Sequence, residues 1–383
     1  MFMRSYQELI KKARSEVEEI SVEEVNKLLH QPDKTVELID VRSRGLMALG
    51  HIKDAVLIPA EELETAVRHL FPDKNRPLLL YGSSSNHSLL AALSIKEMGY
   101  SNVKSMAGGL ADWIDAGYEI ENETGFTGVQ LDHYSRQMIL SEMGIEGQML
   151  LLKSRVLVVG AGGLGSSAVQ YLAASGVGTL GVVDFDRVNA SNLNRQVIHS
   201  FDSIGRRKTE SAKEGIRRIN PDVQILTFDE RLTPANALDI VKEFDVVLDG
   251  SDNFETKYLL NDAAFFAGRP YVFGGAVRTE GQASVFYPQT GGPCLRCIMP
   301  LPPQPNQVPT CSEVGVLGVV PGQIGLVQAA ETLKLLLKKG EPMIGRLFLY
   351  SAMEGDFRTV TIKKDPTCPL CGSEPTIRSL ENH

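Results

Sequence analysis

The chain has 383 residues, enough for two or three domains at roughly 100–200 residues each, so a single small module is excluded. With 43% hydrophobic and 22% charged residues and a mean hydropathy of -0.07, neither a disordered nor a fibrous chain fits. The net charge of -8, from 39 basic and 47 acidic side chains, argues against a general nucleic-acid binder, which must neutralise phosphates.

Residues 1–20 contain no uninterrupted apolar run and carry several Glu, so they read as neither a signal nor a transit peptide. No segment reaches the roughly 18 apolar residues of a membrane helix, and a cytoplasmic protein is expected. Short apolar runs at Val36–Ile39, Ala55–Ile58, Leu78–Tyr81 and Val103 alternate with helical patterns at Val22–Leu29 and Leu89–Met98. That alternation predicts a small α/β domain with a parallel sheet. The polar stretch Glu121–Gly128 has neither period, which places a boundary there and gives expected domains 1–125 and 126–383. Strands are then predicted at Val156–Val159, Thr179–Val183, Val223–Thr227 and Val246–Leu248 with helices between them, the pattern of a doubly wound sheet. A Pro-rich stretch between Pro300 and Pro309, a helix at Gln323–Lys339 and hairpin strands within Leu347–Ile362 complete the expected elements.

Directly after the Val156–Val159 strand comes Gly160-Ala-Gly162-Gly163-Leu-Gly165, and then a good helix former. A strand, a tight glycine turn and a helix N-terminus are what hold a phosphate on backbone N–H groups. Asp184 ends the next strand, where a carboxylate can accept hydrogen bonds from ribose hydroxyls. The same features suit an NAD-dependent dehydrogenase or an ATP enzyme, and glycines serving turn geometry alone remain a third reading. The residues that follow separate them: Ser191-Asn192-Leu-Asn194-Arg195, Lys208, and Asp252-Asn253 after the Val246–Leu248 strand. Loops at the carboxyl ends of a doubly wound sheet meet in one crevice, so two cations and a carboxylate able to hold Mg²⁺ are expected around a triphosphate. Hydride transfer needs no such charges.

All five cysteines fall in the last quarter of the chain, unlike a disulfide-stapled secreted domain. Cys294-Leu-Arg-Cys297 and Cys368-Pro-Leu-Cys371 form two C-x-x-C pairs, the pattern of a structural Cys₄ zinc site. A redox pair and unrelated buried thiols are the rival readings. Cys311 is left over, either a reactive thiol or a small buried hydrophobe.

Several segments together resemble the MoeB/ThiF family, adenylating enzymes of the ubiquitin-activating superfamily. They are His133-Tyr-Ser-Arg136-Gln-Met-Ile-Leu, the Gly160–Gly165 loop, Asp184-Phe-Asp186, Ser191-Asn-Leu-Asn-Arg195-Gln, Lys208, Ser251-Asp252-Asn253 and Glu280-Gly-Gln. The resemblance covers about residues 131–375. It implies a Rossmann-like fold, ATP with Mg²⁺, the same zinc, and a ubiquitin-like sulfur-carrier partner ending in Gly-Gly whose carboxylate is joined to AMP. It also implies a homodimer in which Arg136 reaches the partner's site, catalytic roles for Arg195, Lys208 and Asp252, and a reactive position for Cys311. The molybdopterin branch is the preferred expectation, and a non-catalytic carrier-binding scaffold is the alternative.

Leu38-Ile-Asp40-Val-Arg42, Gly50-His51 and Gly108-Gly109-Leu-Ala-Asp-Trp113 make residues 20–120 resemble a rhodanese domain. The loop that carries the sulfur-bearing cysteine in that family reads Tyr81-Gly82-Ser-Ser-Ser-Asn-His87 here, with Gly82 in the cysteine's place. Serine cannot hold a persulfide, so no sulfurtransferase activity is expected from this domain, and an external sulfur donor is implied.

Overall fold

The short apolar runs of the N-terminal part become strands, and one further strand joins them that the sequence pattern hides. In the computed structural model, which describes residues 5–31, 36–122, 125–303 and 314–382, these are β1 (Glu18–Ile20), β2 (Glu37–Asp40), β3 (Val56–Leu57), β4 (Leu78–Tyr81) and β5 (Val103–Met106). They form a five-stranded sheet in the order β1-β5-β4-β2-β3. Every pair is parallel. β1 escapes the pattern because Glu18-Glu19-Ile20 is an edge strand with only one buried residue.

A parallel sheet covered on both faces needs continuous apolar strands, and its residues must divide by twos between two cores. They do so here: Ile39, Leu78 and Leu80 enter one buried cluster, while Leu38, Leu79 and Tyr81 enter the other. The Val22–Leu29 helix begins at Ser21, whose side chain accepts from Glu24 N–H while Glu24 returns a bond to the Ser21 backbone, a reciprocal cap.

Cα proximity divides the chain into two units, Met1–Ile145 and Glu146–His383. In the second, β6 (Arg155–Val159), β7 (Thr179–Val183), β8 (Gln224–Phe228), β9 (Val246–Asp249), β10 (Tyr271–Val277), β11 (Glu280–Phe286), β12 (Arg346–Ser351) and β13 (Asp356–Thr361) form an eight-stranded sheet. The order is β13-β12-β11-β10-β9-β6-β7-β8. The β10-β9-β6-β7-β8 portion is parallel, and β10 through β13 pair antiparallel. The chain runs outward from β6 through β7 to β8 and then crosses to β9 on the other side of β6. The order in which strands are added therefore reverses between the parallel neighbours β6 and β9, and the crevice beyond their carboxyl ends is where such folds seat ligands.

The Val319–Leu337 helix starts four residues before the predicted Gln323, with Pro321 in its first turn, where a missing N–H costs nothing. It lies against the Gly163–Ala174 helix at small residues. A Cβ on Gly163 would meet Pro321 Cβ at 2.9 Å, and one on Gly325 would overlap Ser167 Oγ and the Leu164 carbonyl. Among the described residues no helix is long and apolar enough to cross a membrane.

Candidate active site

The turn after β6 is built from backbone contacts that leave no room for side chains. Gly160 has φ +96°, and a Cβ there would stand 2.7 Å from Gly250 O, so only glycine fits on both counts. A Cβ on Gly165 would collide with the Gly160 carbonyl. The Gly163–Ala174 helix begins at Gly162 with no side-chain cap, which leaves its first N–H groups for an anion. Because Gly250 lies flush against Gly160, the loop after β9 is fixed to the glycine turn across the crevice.

Asp184 ties this turn to the end of β7. Its Oδ2 accepts from Ala161 N–H at 2.8 Å and its Oδ1 from Asp186 N–H at 2.8 Å. Burial raises its pKa, opposed chiefly by Lys208. Lys208 opens the Lys208–Ile219 helix and is buried, with Nζ 2.9 Å from Asp186 Oδ2 and 4.0 Å from Asp184 Oδ2. Asp186, which the sequence reading did not assign a role, is thus the direct partner of Lys208 and the more exposed carboxylate.

Ser191 and Asn192 lie on the short helical turn Ala190–Asn192, which Asn189 caps through Ser191 N–H, and Asn194 and Arg195 lie on the turn that follows. The Arg195 guanidinium donates to Ser191 O at 2.9 Å and to Asn194 Oδ1 at 3.0 Å. Its Cγ would be 3.5 Å from a Cβ on Gly163, so its stem borders the start of the glycine helix. Asp252 is exposed and has no hydrogen-bond or ion-pair partner among the described residues. Asn253 is already engaged: its Oδ1 accepts from Thr256 N–H at 2.9 Å and caps the Phe254–Ala267 helix.

The structure therefore gathers Gly160, Gly162, Gly163, Gly165, Asp184, Lys208, Arg195 and the Asp252 loop around the ends of β6, β7 and β9. Arg136 is exposed on the Gly128–Met138 helix of the other unit. Cys311 lies outside the described residues.

His199 is a residue the sequence reading missed. It is buried, with Nε2 3.0 Å from Ala161 O and Nδ1 2.9 Å from Ser211 Oγ. A carbonyl can only accept, so Nε2 carries the proton and the Ser211 hydroxyl donates to Nδ1. Burial holds its pKa down at about 4, the Ala161 bond opposing. The unfolded chain takes up this proton near pH 6.5 and the native one only near 4, so stability falls as pH drops through that window. Urea midpoints measured from pH 7 to 4.5 are expected to show this slope in the wild type and a shallower one in His199→Gln.

The four cysteines of the C-x-x-C pairs meet, all Sγ atoms lying within 4.8 Å of one another. Cys294 Sγ is 3.5 Å from Cys368 Sγ, and Cys297 Sγ is 3.4 Å from Cys371 Sγ. Tetrahedral zinc with bonds of about 2.3 Å puts its sulfurs roughly 3.8 Å apart, so the set fits. Hydrogen bonding from the Cys294 thiol pulls Cys297 and Cys368 below the ordinary thiol value. Arg296, between two of the cysteines, is buried against Asp262, with Nη2 to Oδ2 at 2.7 Å.

The ThiF family model matches residues 134–370, which is more than half of the chain. The chain belongs to the ThiF family. A rhodanese-like domain model matches residues 21–116. This ThiF-family chain is similar to the sulfur carrier protein adenylyltransferase of Thermus thermophilus, 48% identical over 262 residues, 67% of this chain and 97% of that one. It is 51% identical over 253 residues to the SAMP-activating enzyme E1 of Haloferax volcanii, 66% of this chain and 93% of that one. The adenylyltransferase and sulfurtransferase MOCS3 of Bos taurus is 47% identical over 255 residues, and the match spans only 56% of that protein. Among solved structures, E. coli MccB with ATP superposes with a TM-score of 0.56 at 22% identity, over 66% of this chain and 77% of that one, a likeness of fold.

Proposed function

We propose that this ThiF-family adenylyltransferase uses ATP to adenylate the terminal Gly-Gly carboxylate of a ubiquitin-like sulfur carrier, with molybdopterin synthase as the destination of that carrier. The observation that carries the reading is the meeting of the glycine turn, Arg195, Lys208 and the Asp252 loop at the point between β6 and β9 where strand order reverses. The Gly163–Ala174 helix start offers N–H groups to the triphosphate, and Asp184 and Asp186 border the ribose side. Asp252, exposed and unpaired, suits Mg²⁺, which takes one or two carboxylates together with substrate phosphates. When bound, Mg²⁺ adds positive charge at the phosphates.

In the reaction a carrier carboxylate oxygen forms a bond to the α-phosphorus as the bond from that phosphorus to the bridging oxygen of pyrophosphate breaks. Two anions must approach, so Arg195 and Lys208 stabilise the charge that collects on the α-phosphate and the departing pyrophosphate. No general base is needed, because the attacking carboxylate is already ionised at neutral pH. Cys294, Cys297, Cys368 and Cys371 would hold a structural zinc that ties residues 368–371 to residues 294–297.

Residues 126–383 form the adenylating domain in this reading and residues 1–125 a rhodanese-like domain without sulfur chemistry. A Cβ at Gly82 would stand 3.0 Å from His87 Nδ1, so a side chain there requires the His87 ring to shift by a few tenths of an ångström. The reading further includes a cytoplasmic homodimer with Arg136 completing the partner's site, an external sulfur donor, and Cys311 as a reactive thiol after adenylation. No nucleic acid takes part.

Pyrophosphate exchange into ATP, dependent on a Gly-Gly-terminated carrier, tests the assignment. Arg195→Ala and Asp252→Ala are each expected to lower it by about 10²–10³-fold. Unchanged exchange in both variants refutes it.

A further inference from the structure

Lys257 has no part in the reaction described so far, yet it is one of the most completely engaged cations in the molecule. It is 6% exposed and lies on the helix that follows the Asp252 loop. Its Nζ donates to Asp249 Oδ2 at 2.8 Å, to Ser251 O at 2.8 Å and to Gly274 O at 2.6 Å. An ammonium has three protons, and all three are used.

Asp249, fully buried at the end of β9, is satisfied in the same network. Its Oδ1 accepts from Ser251 N–H at 2.9 Å and from Ser251 Oγ at 2.6 Å, and Tyr271 Oη donates to its Oδ2 at 2.7 Å. Gln328 Nε2 donates to Asp249 O at 2.7 Å. Ser251 is thereby held at its N–H, its hydroxyl and its carbonyl. On the far side Asn253 is held by its cap. Asp252 alone projects from between two fixed residues, and Gly250 presses on the glycine turn.

A buried ion pair is weak evidence for stability, since apolar residues of equal volume often serve as well. A network that immobilises every neighbour of one free carboxylate has a positional use. We propose that Lys257 is a positioning residue: with Asp249 it fixes the Ser251 backbone so that Asp252 faces the Mg²⁺–ATP phosphates at a set distance. This rests on the reading of Asp252 as the metal-bearing carboxylate.

The test uses the full chain and Mg²⁺ with ATP. Magnesium half-saturation is read from ATP binding by calorimetry, and loop order from hydrogen exchange at the Ser251 amide. Lys257→Met is expected to raise magnesium half-saturation about 10–100-fold, as loss of a ligand-orienting partner does elsewhere, while ATP binding without metal stays unchanged. Exchange at Ser251 should quicken, and Lys257→Arg should recover part of both effects. Tyr271→Phe removes one bond to Asp249 without stranding a charge, and is expected to shift half-saturation about two- to tenfold. It decides the matter if Lys257→Met does not fold. If Asp252→Asn shifts magnesium dependence but neither Lys257→Met nor Tyr271→Phe does, the proposal is overturned. If Asp252→Asn leaves that dependence unchanged, the reading of Asp252 fails instead, and Ser251 exchange still shows whether Lys257 orders the loop.

Discussion

Lys208→Met is expected to lower carrier-dependent exchange of pyrophosphate into ATP by about 10²–10³-fold, the usual loss when one preorganised charge is taken from a transition state. The same change should alter stability in a way that identifies its cause. Lys208 is the main influence holding the buried Asp184 carboxyl down against desolvation. Burial already raises this carboxyl above its ordinary value with Lys208 present, and without Lys208 the native carboxyl takes up its proton at a still higher pH. Stability then rises as pH falls through that interval, the reverse of the usual loss of a favourably paired carboxylate. Urea midpoints for Lys208→Met should therefore climb relative to wild type as pH is lowered toward the ordinary carboxylate value. Adding Asp184→Asn to Lys208→Met should restore stability at pH 7 without restoring exchange. Recovery of exchange in the double variant would show that Lys208 acts only through Asp184.

Cys368→Ser is expected to have the largest effect on folding. Four buried or half-buried thiols whose sulfurs lie within 4.8 Å of one another are a set that one bound cation would hold together. Loss of a structural metal belongs with the most damaging single changes, on the order of 4–5 kcal/mol. For a unit of this size that is a fall of roughly 10–15 °C in the thermal midpoint. Elemental analysis should find about one zinc per wild-type chain and far less in Cys368→Ser. A chelator added to wild type should act in the same direction, whereas Cys311→Ser should leave the metal content unchanged.

The parts of this molecule that announce themselves in sequence are those with a local rule behind them. Gly160 and Gly162 follow a strand and lead into a helix whose first turn holds Gly165, so the turn could be read directly. The C-x-x-C pairs have a ligand spacing that few other structures demand. β10 and β11 have no such rule. Gly274 and Gly275 interrupt the apolar run of Tyr271–Val277, and the reason for Gly274 is remote: a Cβ there would meet the Gln328 carboxamide at 2.5 Å. Their connecting turn, Arg278-Thr279, lacks the usual glycine or asparagine, and Arg278 itself takes φ +53°. His199 and Asp186 stayed hidden for a similar reason, because their partners lie 12 to 38 residues away, whereas Lys257 pairs with Asp249 and Ser251 only 8 and 6 residues back, and no motif marks that pairing. Asn253 shows the opposite limit. Its place in a recognisable motif marked it for the nucleotide, while its side-chain oxygen is spent on a helix cap.

The sulfur cluster joins positions 74 residues apart, and Leu380 beyond it is packed into the same buried group as Phe244, Leu259 and Phe286. During synthesis this unit cannot close its interior when β9 emerges from the ribosome. At about 5–20 residues per second, the wait for the second cysteine pair lasts on the order of several seconds. Throughout that interval a large apolar face is open to other nascent chains. Chaperone supply and zinc supply during translation, rather than the final strength of the folded state, should therefore set how much usable enzyme a cell obtains.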